Sequence, residues 1–141
     1  MTGITDLNQL LASMEPSVSS DIYVFCTTTS LSIAELVALE PKGMFSESEG
    51  MTVILNKASA LKNNLPFSGE FSQITLTVHS SLEAVGLTAA VSDVLAKAGV
   101  SANVVAAYYH DHIFVQREKQ QIALKALQDL QISCQAQISS L

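Results

Sequence analysis

The sequence predicts an α+β protein of two βαββαβ units side by side, each an antiparallel sheet with helices on one face. The second half carries the first observation: from Phe71 it reads strand, helix, strand, strand, helix and a closing segment, the order of the split βαβ or ferredoxin-like unit with right-handed crossovers. The second is a faint internal repeat. Met51–Lys57 matches Asp111–Arg117 as a strand with a polar, then basic exit, and Tyr23–Thr28 matches Ile74–His79 as an opening strand. The third is length: 141 residues make two units of roughly 70, each too small to bury a full core alone and obliged to share one.

The elements follow in order. Thr5 to Met14 sets Leu7, Leu10, Leu11 and Met14 at helical spacing, with Thr5 as N-cap and Pro16 as the stop. Ile22 to Cys26 is β-branched and aromatic on both faces, a buried strand, and Thr27 to Thr29 leads out of it. Leu31 to Leu36 makes one helical turn. Val37 to Glu40 then alternates as an edge strand, interrupted by Pro41 and Gly43. Ser46 to Gly50 is a polar hairpin loop, Met51 to Leu55 a second strand, and Ala58 to Leu65 a short helix closed by Pro66.

From Phe71 to Val78 the residues alternate, Ile74, Leu76 and Val78 facing one side and Gln73, Thr75 and Thr77 the other, as in a half-buried antiparallel sheet. Leu87 to Ala98 lines Leu87, Val91, Val94, Leu95 and Ala98 on one helical stripe, and Gly99 stands where a left-handed C-cap is wanted. Asn103–Tyr109 and Ile113–Val115 are strands joined by the polar turn His110-Asp111-His112. A last helix from Glu118 to Leu130 turns Ile122, Ala123, Ala126, Leu127 and Leu130 inward; Gln131 to Ile138 is a short closing strand or a frayed tail.

Composition removes several function classes. Apolar residues at 48% against 14% charged exclude global disorder. Seven basic against thirteen acidic residues, a net charge of −6 and Arg117 as the sole arginine leave no basic surface for a phosphate backbone, so nucleic acid is not an expected partner. The N-terminus lacks a positive n-region and no apolar run approaches the ~20 residues that span a bilayer, so a cytoplasmic protein without membrane partners is expected. Cys26 and Cys134 have no metal-ligand or redox spacing and read as free structural thiols. No cofactor is called for: neither phosphate-binding glycine pattern is present.

His110-Asp111-His112, with His79, is the one cluster resembling a metal site, since alternation puts His110 and His112 on one face. The same residues suit a hairpin turn by their tolerance of unusual backbone angles, and a structural zinc wants four ligands. No metal site is therefore expected, and a metal-dependent enzyme using His110 and His112 is a third choice. His79-Ser80-Ser81 lacks the elbow that exposes a nucleophilic serine; Ser80 and Glu83 fit a capping box instead. The more informative stretch is Ser80–Thr88, a polar loop opening onto a helix, whose free N–H groups and dipole suit a carboxylate. Glu83 and Asp111 then suit an ammonium group. The alternative is a loop capped by its own side chains.

Gly86–Asn103 resembles the glycine, amphipathic helix, Ala-Gly and Asn signature of ACT domains, the small-molecule-sensing modules of amino-acid metabolism. Phe71–Val115, with Val-His-Ser-Ser-Leu-Glu-Ala-Val-Gly-Leu-Thr and Tyr-Tyr-His-Asp-His-Ile-Phe-Val, resembles small bacterial ACT-like proteins of unknown function that pair an ACT-like half with a C-terminal ACT domain. The resemblance runs from about Tyr23 to Leu127 and is similar to the tandem ACT modules of aspartate kinases and of eukaryotic arginine-sensing proteins. It implies a degenerate ACT-like unit over 1–68 and an ACT domain over 69–141. It also implies a ligand site with Glu83, Ala84, Val85, Gly86 and Leu87 from the loop and Tyr108 and Asp111 from the strand-turn segment. The departure is that no enzyme domain accompanies the units within these residues. The expected function is non-catalytic binding of a free amino acid by a regulatory or sensing homodimer; the alternative is a protein-interaction module with no small ligand.

Overall fold

The computed structural model describes residues 6–78 and 86–139. In chain order the elements are α1 (Leu7–Ala12), β1 (Pro16–Val18), β2 (Tyr23–Thr28), α2 (Ile33–Ala38), β3 (Gly43–Glu47), β4 (Gly50–Asn56), α3 (Lys57–Lys62), β5 (Phe71–Leu76), α4 (Leu87–Lys97), β6 (Ala102–Ala106), β7 (Asp111–Gln116), a 3-10 turn (Arg117–Lys119) and α5 (Gln120–Ser139). Two compact units divide the chain: Met1–Ser19 with Ser72–Leu141, here the discontinuous unit, and Ser20–Phe71, the inserted unit. The division at 68/69 follows the repeat along the sequence, whereas these units follow packing.

In the inserted unit β4 lies between β3 and β2, antiparallel to both, and Phe71 pairs with Tyr23. Alternation sends Val24 and Cys26 of β2 and Val53 and Leu55 of β4 to one side, where Leu36 of α2 and Ala60 of α3 complete a buried core. Helix α2 begins later than the spacing predicts, because Ser32 and Glu35 form a capping box that satisfies the first-turn amides reciprocally. Once nucleated there, the helix runs through Val37 and Ala38, so the edge strand expected over Val37–Glu40 does not form. Glu40 takes a left-handed conformation, φ 52°, ahead of Pro41, and the edge strand is β3 instead.

In the discontinuous unit the strand order is β1-β5-β7-β6. Ile74, Leu76, Ile113 and Val115 face a core closed by Leu10, Leu11 and Met14, by Leu87, Val91 and Leu95 of α4, and by Ala123, Leu127 and Cys134 of α5. The closing strand expected over Gln131–Ile138 is absent: that stretch continues α5, because Leu127, Gln131 and Cys134 recur at helical spacing and are all buried. The fourth strand comes from the other end of the chain. β1 pairs antiparallel with β5, Pro16 opposite Leu76 and Val18 opposite Ile74. Gln131 clamps this segment, its Nε2 donating to Ala12 O at 3.1 Å and to Glu15 Oε1 at 2.7 Å while its Oε1 accepts from Glu15 N at 3.2 Å.

The β6–β7 connection also differs from the expected His110-Asp111-His112 turn. The turn is Ala107–His110, closed by Ala107 N donating to His110 O at 3.1 Å. Asp111 and His112 are strand residues opposite Ala106 and Val105. His112 is drawn into the sheet by β5, whose Gln73 and Thr75 reach its ring.

Candidate functional site

Helix α4 starts at Leu87 with Gly86 at the N-cap in a left-handed conformation, φ 97°. A left-handed N-cap favours glycine, and a side chain there would meet Leu7 Cδ2 at 3.1 Å. Gly86 therefore brings no side chain to the first-turn amides, and its carbonyl already accepts from Ala90 N at 2.9 Å. Leu87 is buried and anchors the helix start in the core. Ser80 and Glu83 of the capping-box reading, His79, and the predicted site residues Glu83, Ala84 and Val85 lie outside the described residues.

Tyr108 sits at the tip of the β6–β7 hairpin, 70% exposed, with its ring edge-on to Tyr109 at 4.9 Å between centroids. Asp111 opens β7 below that tip. Burial pushes its carboxyl above the usual range, and the neighbouring His112 and His110 pull it part of the way back. His110 Nδ1 lies 3.4 Å from Val78 O, so the hairpin meets the chain just past β5. The contacts thus bring the Tyr108–Asp111 segment to the last described residue before 79–85. Gly86 and Leu87 are the first described residues after that stretch, against Leu7 and the core.

A polar cluster beside Asp111 was not legible in the sequence. Gln73, only 5% exposed, sets its Nε2 3.0 Å from His112 Nδ1, and Thr75 Oγ1 is 2.9 Å from the same nitrogen. The alternation of β5 marks Gln73 and Thr75 as outward-facing, and only the pairing of β5 with β7 brings His112 to them.

His110 and His112 both spend Nδ1 within the protein, and among the described residues no group of three or more His, Cys, Asp or Glu side chains is placed to hold a metal ion. Cys26 and Cys134 are buried free thiols, pushed above their ordinary pKa by desolvation, which disfavours the thiolate. In the inserted unit a cavity of about 630 Å3 is lined by residues that include Leu31, Leu39, Glu40, Ser59 and Lys62. None of the predicted site residues lines it. Among the described residues no helix is long and apolar enough to cross a membrane.

Residues 2–72 match one ACT-domain family model and residues 68–129 match a second. A Vibrio cholerae protein of unknown function is 51% identical, with 92% of this chain and 98% of that one covered and a TM-score of 0.81. The regulatory subunit of aspartate kinase from Thermus thermophilus shares the fold at 8% identity, with a TM-score of 0.63 over 84% of this chain and 97% of that one. An Agrobacterium tumefaciens protein does so at 13% identity, with a TM-score of 0.68 over 82% and 87%. No protein of curated function matches the sequence. With two family models dividing its length and a half-identical relative covering nearly all of it, the chain belongs to the ACT-domain family, as two ACT domains in tandem.

Proposed function

We propose that the chain binds a free amino acid at the β5–α4 connection of the discontinuous unit and acts through that binding as a regulatory homodimer without chemistry of its own. The contrast between the two first helices carries the reading. In the inserted unit the start of α2 is closed by its own side chains, Ser32 N held by Glu35 Oε1 at 2.9 Å and Glu35 N by Ser32 Oγ at 3.2 Å. In the discontinuous unit the longer α4 starts behind a bare glycine, and the backbone amides and positive dipole end of such a start suit a carboxylate. The backbone of Glu83, Ala84, Val85, Gly86 and Leu87 takes the ligand carboxylate. Glu83 and Asp111 take the ammonium group, and Tyr108 covers the side chain.

A thermal-shift panel of the free amino acids tests this. A ligand at 100 times its dissociation constant adds about 2.7 kcal/mol, a rise of several degrees in the unfolding midpoint for a chain of this size. A panel in which nothing moves the midpoint removes the proposal. Asp111 supplies a pH signature. Its folded pKa lies above its ordinary 3.8, so the folded apo protein holds that proton more tightly than the unfolded chain. The unfavourable contribution is absent below the ordinary value and complete once pH exceeds the raised one. A ligand ammonium beside the carboxylate reverses this. Affinity is expected to rise with pH through the raised pKa, and Asp111→Asn to flatten that dependence while slightly raising apo stability at neutral pH. Isothermal titration across pH 4 to 7, flat for the unmodified chain, removes Asp111 from the site.

A further inference from the structure

We propose that the cavity between α2 and α3 of the inserted unit is a second ligand site, which takes a short free peptide with apolar side chains by its two charged ends. This goes beyond the amino-acid reading above and does not depend on it. The cavity exists because its helices are short. α2 and α3 have 6 residues each, where α4 and α5 have 11 and 20. Six residues make fewer than two turns, so each helix sends one buried side chain to the core, Leu36 from α2 and Ala60 from α3. Between them the helical layer stays open, bridged where Ser59 Oγ donates to Leu39 O at 3.5 Å. The space of about 630 Å3 falls within the roughly 300–1,000 Å3 that small-ligand sites occupy.

The lining sets the chemistry of the occupant. Leu31 and Leu39, both packed against the core of the unit, give the cavity an apolar floor. Glu35 and Glu40 stand on the α2 wall and Lys62 on the α3 wall. Among the described residues none of these three takes part in a salt bridge, so opposite charges line one cavity without neutralising each other. Glu35 is held in place, its Oε1 accepting from Ser32 N at 2.9 Å, and its second oxygen is left for a ligand. Glu40 follows the helix in a left-handed conformation, φ 52°, a position where glycine or asparagine is usual. An α-amino acid carries both its charges on one carbon. Here they are wanted on opposite walls, so the fitting ligand has its ammonium and its carboxylate at separate ends. Asn56 Oδ1 accepts from Ala58 N at 3.0 Å and Asn63 Nδ2 donates to Ser59 O at 2.8 Å. The other ends of these amides, a donor on Asn56 and an acceptor on Asn63, match the C=O and N–H of a peptide group. A dipeptide or tripeptide combines all of these features, whereas a phosphate ligand would meet two carboxylates and one lysine.

Isothermal titration of the full chain with the tripeptide Ala-Leu-Ala tests the assignment. Saturable binding is expected. Removing either charged end of the peptide, by N-acetylation or by C-terminal amidation, is expected to weaken it about fivefold, the worth of an exposed ion pair. Lys62→Gln is expected to cost the free peptide about the same factor, and the losses from Lys62→Gln and from amidation should not add, because they remove the same contact. Glu40→Gly is expected to weaken binding about fivefold without lowering the melting midpoint, since glycine suits the left-handed backbone. Glu49→Gln, in the β3–β4 turn, should bind as the unmodified chain does. Absence of saturable binding, a doubly capped peptide that binds as well as the free one, losses from Lys62→Gln and amidation that add in full, a Glu40→Gly chain of full affinity, or an equal loss in Glu49→Gln overturns the proposal.

Discussion

A fragment spanning residues 69–141 is expected not to fold on its own. It contains the sequence of an ACT domain but lacks β1 and α1, which the full chain supplies from its other end. Leu10 and Met14 are fully buried in the core of the discontinuous unit and Leu11 is 4% exposed. At about 1.5–3 kcal/mol for each side chain, their loss removes roughly 6 kcal/mol from a total stability on the order of 5–15 kcal/mol. The fragment also strips β5 of its flanking strand and removes the partners of Gln131, which are Ala12 O and the backbone and carboxylate of Glu15. A circular-dichroism melt decides it. A cooperative transition for 69–141 near that of the full chain would show that β1 and α1 are accessory. Adding residues 1–19 back through a flexible linker to Ser72 is expected to restore the transition, because that construction contains every residue of the discontinuous unit.

Replacing Gly86 with valine is expected to cost on the order of 2–4 kcal/mol and to abolish amino-acid binding. Two penalties act together. The left-handed φ of 97° is strained for any residue with a Cβ and most for a β-branched one. The new Cβ also meets Leu7 Cδ2 at 3.1 Å, so the tip of Leu7 must give by a few tenths of an ångström or the α4 start moves. Gly99→Ala separates the effects. Gly99 is also left-handed, φ 79°, but a Cβ there meets nothing within 4 Å. Its cost is expected to stay near 1 kcal/mol, with binding unchanged. Equal losses of stability in the two variants, or a Gly86→Val chain that keeps its ligand shift, would detach the helix start from the site.

Fold class was legible because it rests on local periodicity. The alternation of Ile74, Leu76 and Val78, the stripe of Leu87, Val91 and Leu95, and Gly99 as a left-handed stop each need only their own neighbours. Where local signals competed, the reading slipped. Val37–Glu40 alternates like a strand, but the capping box of Ser32 and Glu35 nucleates a helix that runs into it. Asp111 and His112 look like turn residues, but the turn slides to Ala107–His110 because His112 is held by Gln73 and Thr75 of β5. Within the candidate site, Gly86 was readable only as the glycine ahead of an amphipathic run in the resemblance; its left-handed conformation came from the structure. The raised pKa of Asp111 was not readable, since it depends on burial.

The sequence by itself determined the α+β class, the repeat of two βαββαβ units and the acidic balance, because composition and periods of 2 and 3.6 are properties of short stretches of chain; the resemblance added the ACT family and the glycine ahead of α4. Only the tertiary structure decided that Pro16–Val18 is the fourth strand of the discontinuous unit. Three residues hold too few alternations to declare themselves, and their pairing with β5 is fixed by contacts such as Thr77 N to Met14 O, 2.8 Å apart in space and far apart in the chain. The same holds for Gln131. In sequence it opens the stretch read as a closing strand or a frayed tail, and it becomes the clamp of the N-terminal segment only where α5 lies against α1.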